Sequence, residues 1–594
     1  MTKSANVLLG LALVGLAPWL ASPLKAAETK SALLTFPGDA TLVLQVKDTS
    51  QLVDKIQKSP PFQLKDHGDF AELMAKANEQ LAEIQNEVRA ELDIDIWETL
   101  ASIQGEVLVL LGEPSTLLGS VKAIGEALDR ENDTSLDAEG RAQVQKAASA
   151  GFESLPFLVV ADGANEFGKL KAVLEKVKGY LAKKGAKVEV TKFHGGEVNA
   201  LLKEDAGHFY VGELGTRLLL GFNRKLIEQT MVHLSEGTQG GITSNAIFQR
   251  TRQHAKGDSS DFFVYLNVRG VTAAVGPLLG PGMEGMIWES VNGLIFGNSL
   301  NSLGLGGAIG EKNLRHTLFV DNDGASDGIL GWFKGGEFPA EPPTLVPDDS
   351  ATFSSVAFNG GNFTNFVNGV LQIVSSFQGQ KPEDMKAMAK QFIGADVDDI
   401  LRSLGSRIHF FGTATAPGGV ENPFGDQTIV FELKEDGPLK TVLETVSVMA
   451  QLTTKEYLGR TLYQAPSSAG SAVSLCVTDQ KFLLAFAEGA LEKVVRRLGK
   501  DVAGIGEKPE FKSLAAGLPA QVSALSYTDS TYFGDYLSNM AAMVMENAPD
   551  QVPQELFLLM TAVGRTLGSS IGFGQWNETG MYTESTLQFQ TAPK

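Results

Sequence analysis

Alternating apolar positions at Leu42, Leu44 and Val46 predict a half-buried strand near the start of the chain. Ser50 reads as the cap of the helix that follows, which stops near Pro60-Pro61. A longer polar helix is predicted from about Phe70 to Leu92, ahead of a buried run from Val107 to Leu111. Phe157 to Val160 predicts another strand and Lys169 to Lys183 an amphipathic helix. Four short strands come next: Val188 to Phe193, Val198 to Leu202, Phe209 to Val211 and Arg217 to Phe222. Their connections, such as His194-Gly195-Gly196 and Glu213-Leu214-Gly215-Thr216, are short and glycine-bearing, so these strands should pair as antiparallel hairpins. Asn223 then caps a helix to about Leu234.

The same order returns later in the chain. Pro37-Gly38-Asp39-Ala40 is matched by Pro347-Asp348-Asp349-Ser350, and Asp95-Ile96 with Leu100 by Asp396-Val397 with Leu401. Leu170-Lys171 with Leu174-Glu175 recurs as Leu439-Lys440 with Leu443-Glu444, and Leu219-Leu220 with Phe222 as Leu483-Leu484 with Phe486. The spacing is constant inside each element and changes only between elements, as copies of one fold with unequal loops require. The expected fold class is therefore α+β, two similar tandem domains, each a mainly antiparallel sheet with helices on one face. The first repeat is placed at 28–333, with an acidic helical insertion at 115–150, and the second at 348–594. Between them, Pro339, Pro342, Pro343 and Pro347 make 334–347 a stiff linker.

Length supports more than one core, since 594 residues exceed what a single hydrophobic core serves. Lys3 precedes an apolar run from Val7 to Leu20, too short to span a bilayer, and small residues follow at Ala21, Ser22, Ala26 and Ala27. Residues 1–27 read as an export signal, which places the protein in the periplasm or cell envelope, or outside the cell, with no stable transmembrane segment after cleavage. Cys476 is the only cysteine, so no intramolecular disulfide can form, and its strand-like surroundings suit a buried thiol. A net charge of −20 argues against nucleic acid as a partner.

The Pro-x-Asp-Ala/Ser opening, Ser59-Pro60-Pro61-Phe62 and the Asp-Ile/Val segment resemble uncharacterised exported bacterial families known as domains of unknown function. That resemblance implies a cell-envelope setting and no activity.

No segment carries a complete catalytic motif. Gly163 to Leu170 approaches a phosphate-binding loop, but Leu170 replaces the hydroxyl residue that would hold magnesium, and Glu166 puts negative charge where phosphates would lie. Gly304 to Gly310 runs into a strand where a dinucleotide motif needs a helix. Asp321-Asn322-Asp323-Gly324 lacks the ligands of a calcium loop and reads as a turn. The seven histidines are scattered without metal-ligand spacing. No cofactor and no metal are expected, and catalytic groups could arise only by convergence from distant positions.

One apolar feature recurs. Met283, Met286 and Trp288 precede the last strands of the first half, and Met543, Met545 and Phe557 those of the second. They read either as core helices or as an apolar binding surface, because methionine adapts to irregular partners. The favoured function is a non-enzymatic exported envelope protein acting by binding or assembly, with an unknown protein or apolar ligand as partner. A carrier that holds an apolar ligand between sheet and Met-rich helices, and a hydrolase with dispersed residues, are the alternatives.

Overall fold

The computed structural model describes residues 31–63, 85–86, 88–131, 136–203, 207–237, 241–280, 282–413, 426–465, 473–500, 502–530, 532, 564 and 566–590. Residues 1–27, read from the sequence as an export signal, Met543, Met545, Phe557 and most of the predicted helix at 70–92 lie outside these residues.

The first ten strands are β1 (Leu42–Val46), β2 (Val107–Leu111), β3 (Phe157–Asp162), β4 (Lys187–Phe193), β5 (Gly196–Lys203), β6 (Gly207–Leu214), β7 (Arg217–Gly221), β8 (Phe262–Leu266), β9 (Ser302–Ile309) and β10 (Asn313–Asp321). The next ten are β11 (Thr352–Ala357), β12 (Leu404–Gly412), β13 (Thr428–Leu433), β14 (Thr453–Tyr457), β15 (Arg460–Gln464), β16 (Ser474–Thr478), β17 (Lys481–Ala485), β18 (Ala524–Thr528), β19 (Leu567–Trp576) and β20 (Gly580–Phe589). All belong to one sheet whose described pairings are antiparallel.

Strand order in the first half is β4-β5-β6-β7-β3-β2-β1-β8-β9-β10. In the second half it is β14-β15-β16-β17-β13-β12-β11-β18-β19-β20, the same order position for position. The two series meet where β10 pairs with β20. One row of directly paired residues crosses the middle of the sheet: Leu219, Val160, Leu108, Gln45, Phe263, Gly306 and Thr317 from one side. It continues from Glu584 through Phe573, Leu525, Ser355, His409, Val430 and Leu483 on the other.

Local chemistry explains the hairpins. His194 and Gly195 between β4 and β5, and Asp479 and Gln480 between β16 and β17, all have positive φ, as a two-residue turn that follows the strand twist requires. Both halves also open with the same proline turn, in which the Ala40 amide donates to the Pro37 carbonyl and the Ser350 amide to that of Pro347. Asp95 and Asp396 cap short helices by accepting from the Glu98 and Asp398 amides.

The α+β class and the antiparallel sheet agree with the sequence pattern, but helices cover both faces instead of one. On the face that carries the central row, α6 (Arg224–Glu236) and α7 (Ala246–His254) supply Leu226, Ile227, Met231 and Phe248 to a core with Leu108, Leu219 and Phe263. On the same face of the second half, α14 (Ala490–Arg497) and α15 (Pro509–Ala515) pack Leu491, Val494 and Phe511 on Val430, Leu483 and Leu525. The opposite face receives α5 (Phe167–Lys183) through Leu170 and Leu174 against Leu201, Val211 and Leu218. There, too, α13 (Gly437–Met449) places Leu443 on Leu433 and Val477. Adjacent strand residues alternate between these cores, so strands buried on both sides lose the clean apolar-polar alternation that would have revealed it.

The Pro-rich stretch between the halves is bound to the second half: Phe338, Leu345 and Val346 are buried in its core, and Phe338–Pro339 forms a short ribbon with Gln521–Val522. The helix α1 (Thr49–Lys58) is capped by Asp48, whose side chain accepts from the Gln51 amide at 2.8 Å, and not by Ser50, which is buried inside the first turn. In the 115–150 region stand two helices, α3 (Pro114–Glu131) and α4 (Ala138–Ser154).

Candidate functional site

A serine, a histidine and a carboxylate do converge, from three neighbouring strands that no local motif links. Ser355 Oγ lies 2.5 Å from His409 Nδ1, and His409 Nε2 stands 3.5 Å from Glu432 Oε1 without forming a hydrogen bond to it. Arg407 clamps Glu432 through Nη2 at 2.8 Å and Nε at 3.1 Å. Burial would raise the Glu432 carboxyl, but the Arg407 guanidinium bonded to it, with His409 Nε2 close by, outweighs that and holds the group at about 2. Burial also keeps the His409 imidazole below its usual range, against the pull of Glu432.

The cluster has the roles of a hydrolytic triad without the access. Ser355 and His409 are each only 1 % exposed, beneath the core that holds Val430 and Leu525. A nucleophile must come within about 3 Å of the carbon it attacks, and no substrate reaches Ser355 through that packing. The arrangement ties β11, β12 and β13 together. Sequence could not have announced it, because each residue sits in an ordinary strand and only the pairing brings them together.

The other candidates are occupied by structural partners. Asp321 is fully buried and held by Arg250 through Nε at 2.6 Å and Nη2 at 2.7 Å, with Asn301 Nδ2 donating at 2.9 Å. Asp323 takes the same guanidinium. Lys169 turns to Glu166 at 2.8 Å. Cys476 is buried, and burial pushes its thiol up to about 11. Among the described residues no three His, Cys, Asp or Glu side chains are grouped to hold a metal.

Met283 and Met286 are the sequence candidates that the structure sets apart. They lie on α9 (Met283–Ile295) and are 66 % and 61 % exposed, so neither belongs to a core. Trp288 on the same helix is half-buried. Its neighbours are α8 (Val268–Leu279) and α10 (Gly360–Gln378); beyond α10 come α11 (Pro382–Ile393) and α13, and beyond α8 comes α3. Of the fourteen exposed large apolar side chains among the described residues, twelve belong to this unbroken row of helices or its ends. Phe377 on α10, Phe392 on α11 and Val448 on α13 continue the apolar surface away from α9. The 19 residues of α10 include no charged side chain, and α8 and α9 bring only Arg269, Glu284 and Glu289. Scattered exposed apolar residues need no explanation, but a concentration on consecutive helices marks a contact surface. No helix among the described residues is long and apolar enough to cross a membrane.

A cleft of about 310 Å³ lies on the opposite face, beside the β10–β20 pairing, with Lys256, Arg315, Thr317 and Glu584 in its lining.

No family model and no curated protein matches the chain. The solved structures of TP0453 in crystal forms I and III are similar to it at 12% and 13% identity. Each covers 43% of this chain, and 81% and 82% of TP0453 respectively, with TM-scores of 0.22 and 0.21.

Proposed function

We propose that the chain is a non-enzymatic, exported protein of the cell envelope that acts by binding, with the α8–α11 and α13 helix row as its contact surface. The observation that carries this reading is the concentration of exposed apolar side chains on those helices within a chain of net charge −20. A strongly acidic protein whose α8, α9 and α10 carry only three charged side chains along that surface favours an apolar partner over a charged one. The export setting rests on the apolar run from Val7 to Leu20.

The same reading takes the two halves as copies of one ancestral unit, supported by their shared strand order and by the matching proline turns at Pro37 and Pro347. A hydrolase is disfavoured by the burial of Ser355 and His409. The carrier alternative gains no support from the cleft at β10–β20, whose charged lining does not suit an acyl chain.

The protein from residue 28 onward should partition onto neutral phosphatidylcholine vesicles or self-associate in sedimentation, with little dependence on salt. Met286→Glu combined with Phe392→Glu should abolish that behaviour and leave Tm unchanged. Identical behaviour of the substituted and natural proteins would remove the helix row from the account.

A further inference from the structure

The cleft beside the β10–β20 pairing combines features that ordinary packing does not explain. It is lined by Gly306, Ala308, Asn313, Arg315 and Thr317 of β9 and β10 and the turn between them, by Lys256, Ser259 and Ser260 after α7, and by Glu584 of β20. Thr317 is 5 % exposed, and its hydroxyl has no hydrogen-bond partner among the described residues. It lines the cleft, where a ligand can pair it.

Arg315 is exposed on the same strand, two residues away, and no carboxylate among the described residues takes its guanidinium. Arg217, Arg250, Arg252 and Arg407 are held by acidic side chains, while Arg269, Arg496 and Arg497 bond to Asn301, Tyr457 and backbone carbonyls. Lys256 and Glu584 in the lining pair with each other and so cancel. What remains is one unbalanced guanidinium beside an unpaired hydroxyl, in a chain whose net charge is −20.

We propose that this cleft binds one small organic anion per chain, with Arg315 engaging its carboxylate or phosphoryl oxygens and Thr317 donating a further hydrogen bond. A guanidinium presents paired donors at the spacing of such oxygens, and the volume suits a compact metabolite and not a polymer. The stoichiometry follows from the sheet. In the second half Tyr582 holds the place that Arg315 has in the first, and its hydroxyl donates to Gln575, so the corresponding position offers no cation.

Calorimetric titration of the full chain with inorganic phosphate and, separately, with succinate at fixed ionic strength tests the site. At least one probe should bind with one site per chain, and the two arms distinguish phosphoryl from carboxylate recognition. Arg315→Ala should weaken that binding about tenfold or more and Thr317→Val about threefold or more. Arg130→Ala, which removes another exposed arginine far along the chain, should leave it unchanged. Equal affinity in Arg315→Ala, or no binding of either probe, overturns the proposal.

Discussion

Thr317 of β10 and Glu584 of β20 stand directly opposite one another, and each is the other's counterpart in its own half. Thr317 faces Gly306, which faces Phe263 and then Gln45; Glu584 faces Phe573, which faces Leu525 and then Ser355. Pairing spreads evenly from this point, to Asn313 with Gln588 on one side and Asp321 with Gly580 on the other. Exchanging the two strand series therefore leaves the pairing pattern of the seam unchanged, although the residues at matching positions differ.

The seam makes a demand at Gly580. A Cβ there would meet the Val320 carbonyl oxygen at 2.1 Å, a backbone atom that cannot swing aside. Gly580→Ala should destabilise the protein by about 1–3 kcal/mol in urea unfolding. Gly517→Ala, where an added Cβ meets nothing within 4 Å, should stay within about 0.5 kcal/mol of the natural protein.

Acid should weaken the second half through the His409 cluster. Burial depresses the folded-state affinity of His409 for protons, so its neutral form is stabilising above the unfolded value of 6.5 and that contribution falls as pH drops below it. Glu432, held at about 2, contributes above its ordinary 4.5 and loses that contribution as pH falls from 4.5 towards 2. Glu432→Gln should cost about 3 kcal/mol at neutral pH, because Arg407 and His409 lose their carboxylate, and should flatten the acid limb of the stability profile between those values. An unchanged limb would show that Glu432 is not clamped as described.

Cys476 should behave as a packing residue. Its thiol is fully buried and burial keeps it protonated, so modification by a disulfide reagent should require unfolding and its rate should rise with urea in step with the fraction unfolded. Prompt labelling of the folded protein would contradict its position between β15 and β17.

Much of the strand layout was legible because local chemistry dictates it. His194-Gly195 forms the tight turn that its glycine signals, and Asn223 accepts from the Leu226 amide as its cap position requires. Ser50 misled because Asp48 stood two residues earlier with a stronger claim on the first-turn amides. Helices on both faces escaped notice because Leu218 and Leu219, or Ala200 and Leu201, are both buried and so erase the alternation. The meeting of Ser355, His409 and Glu432, and the pairing of β10 with β20, depend on which strands become neighbours, and no local pattern encodes that. Met283 and Met286 were recognisable as an apolar pair, but only their exposure separates a contact surface from a core helix.

The continuous sheet is tested most directly by cross-linking its seam. Thr317→Cys with Glu584→Cys should form an intramolecular disulfide under mild oxidation, since directly opposed strand residues lie within disulfide reach. Thr317→Cys with Thr586→Cys places the second thiol on the diagonal, opposite Arg315, and should cross-link poorly. Efficient bridging of the diagonal pair, or none in the directly opposed pair, would contradict the join between the two halves.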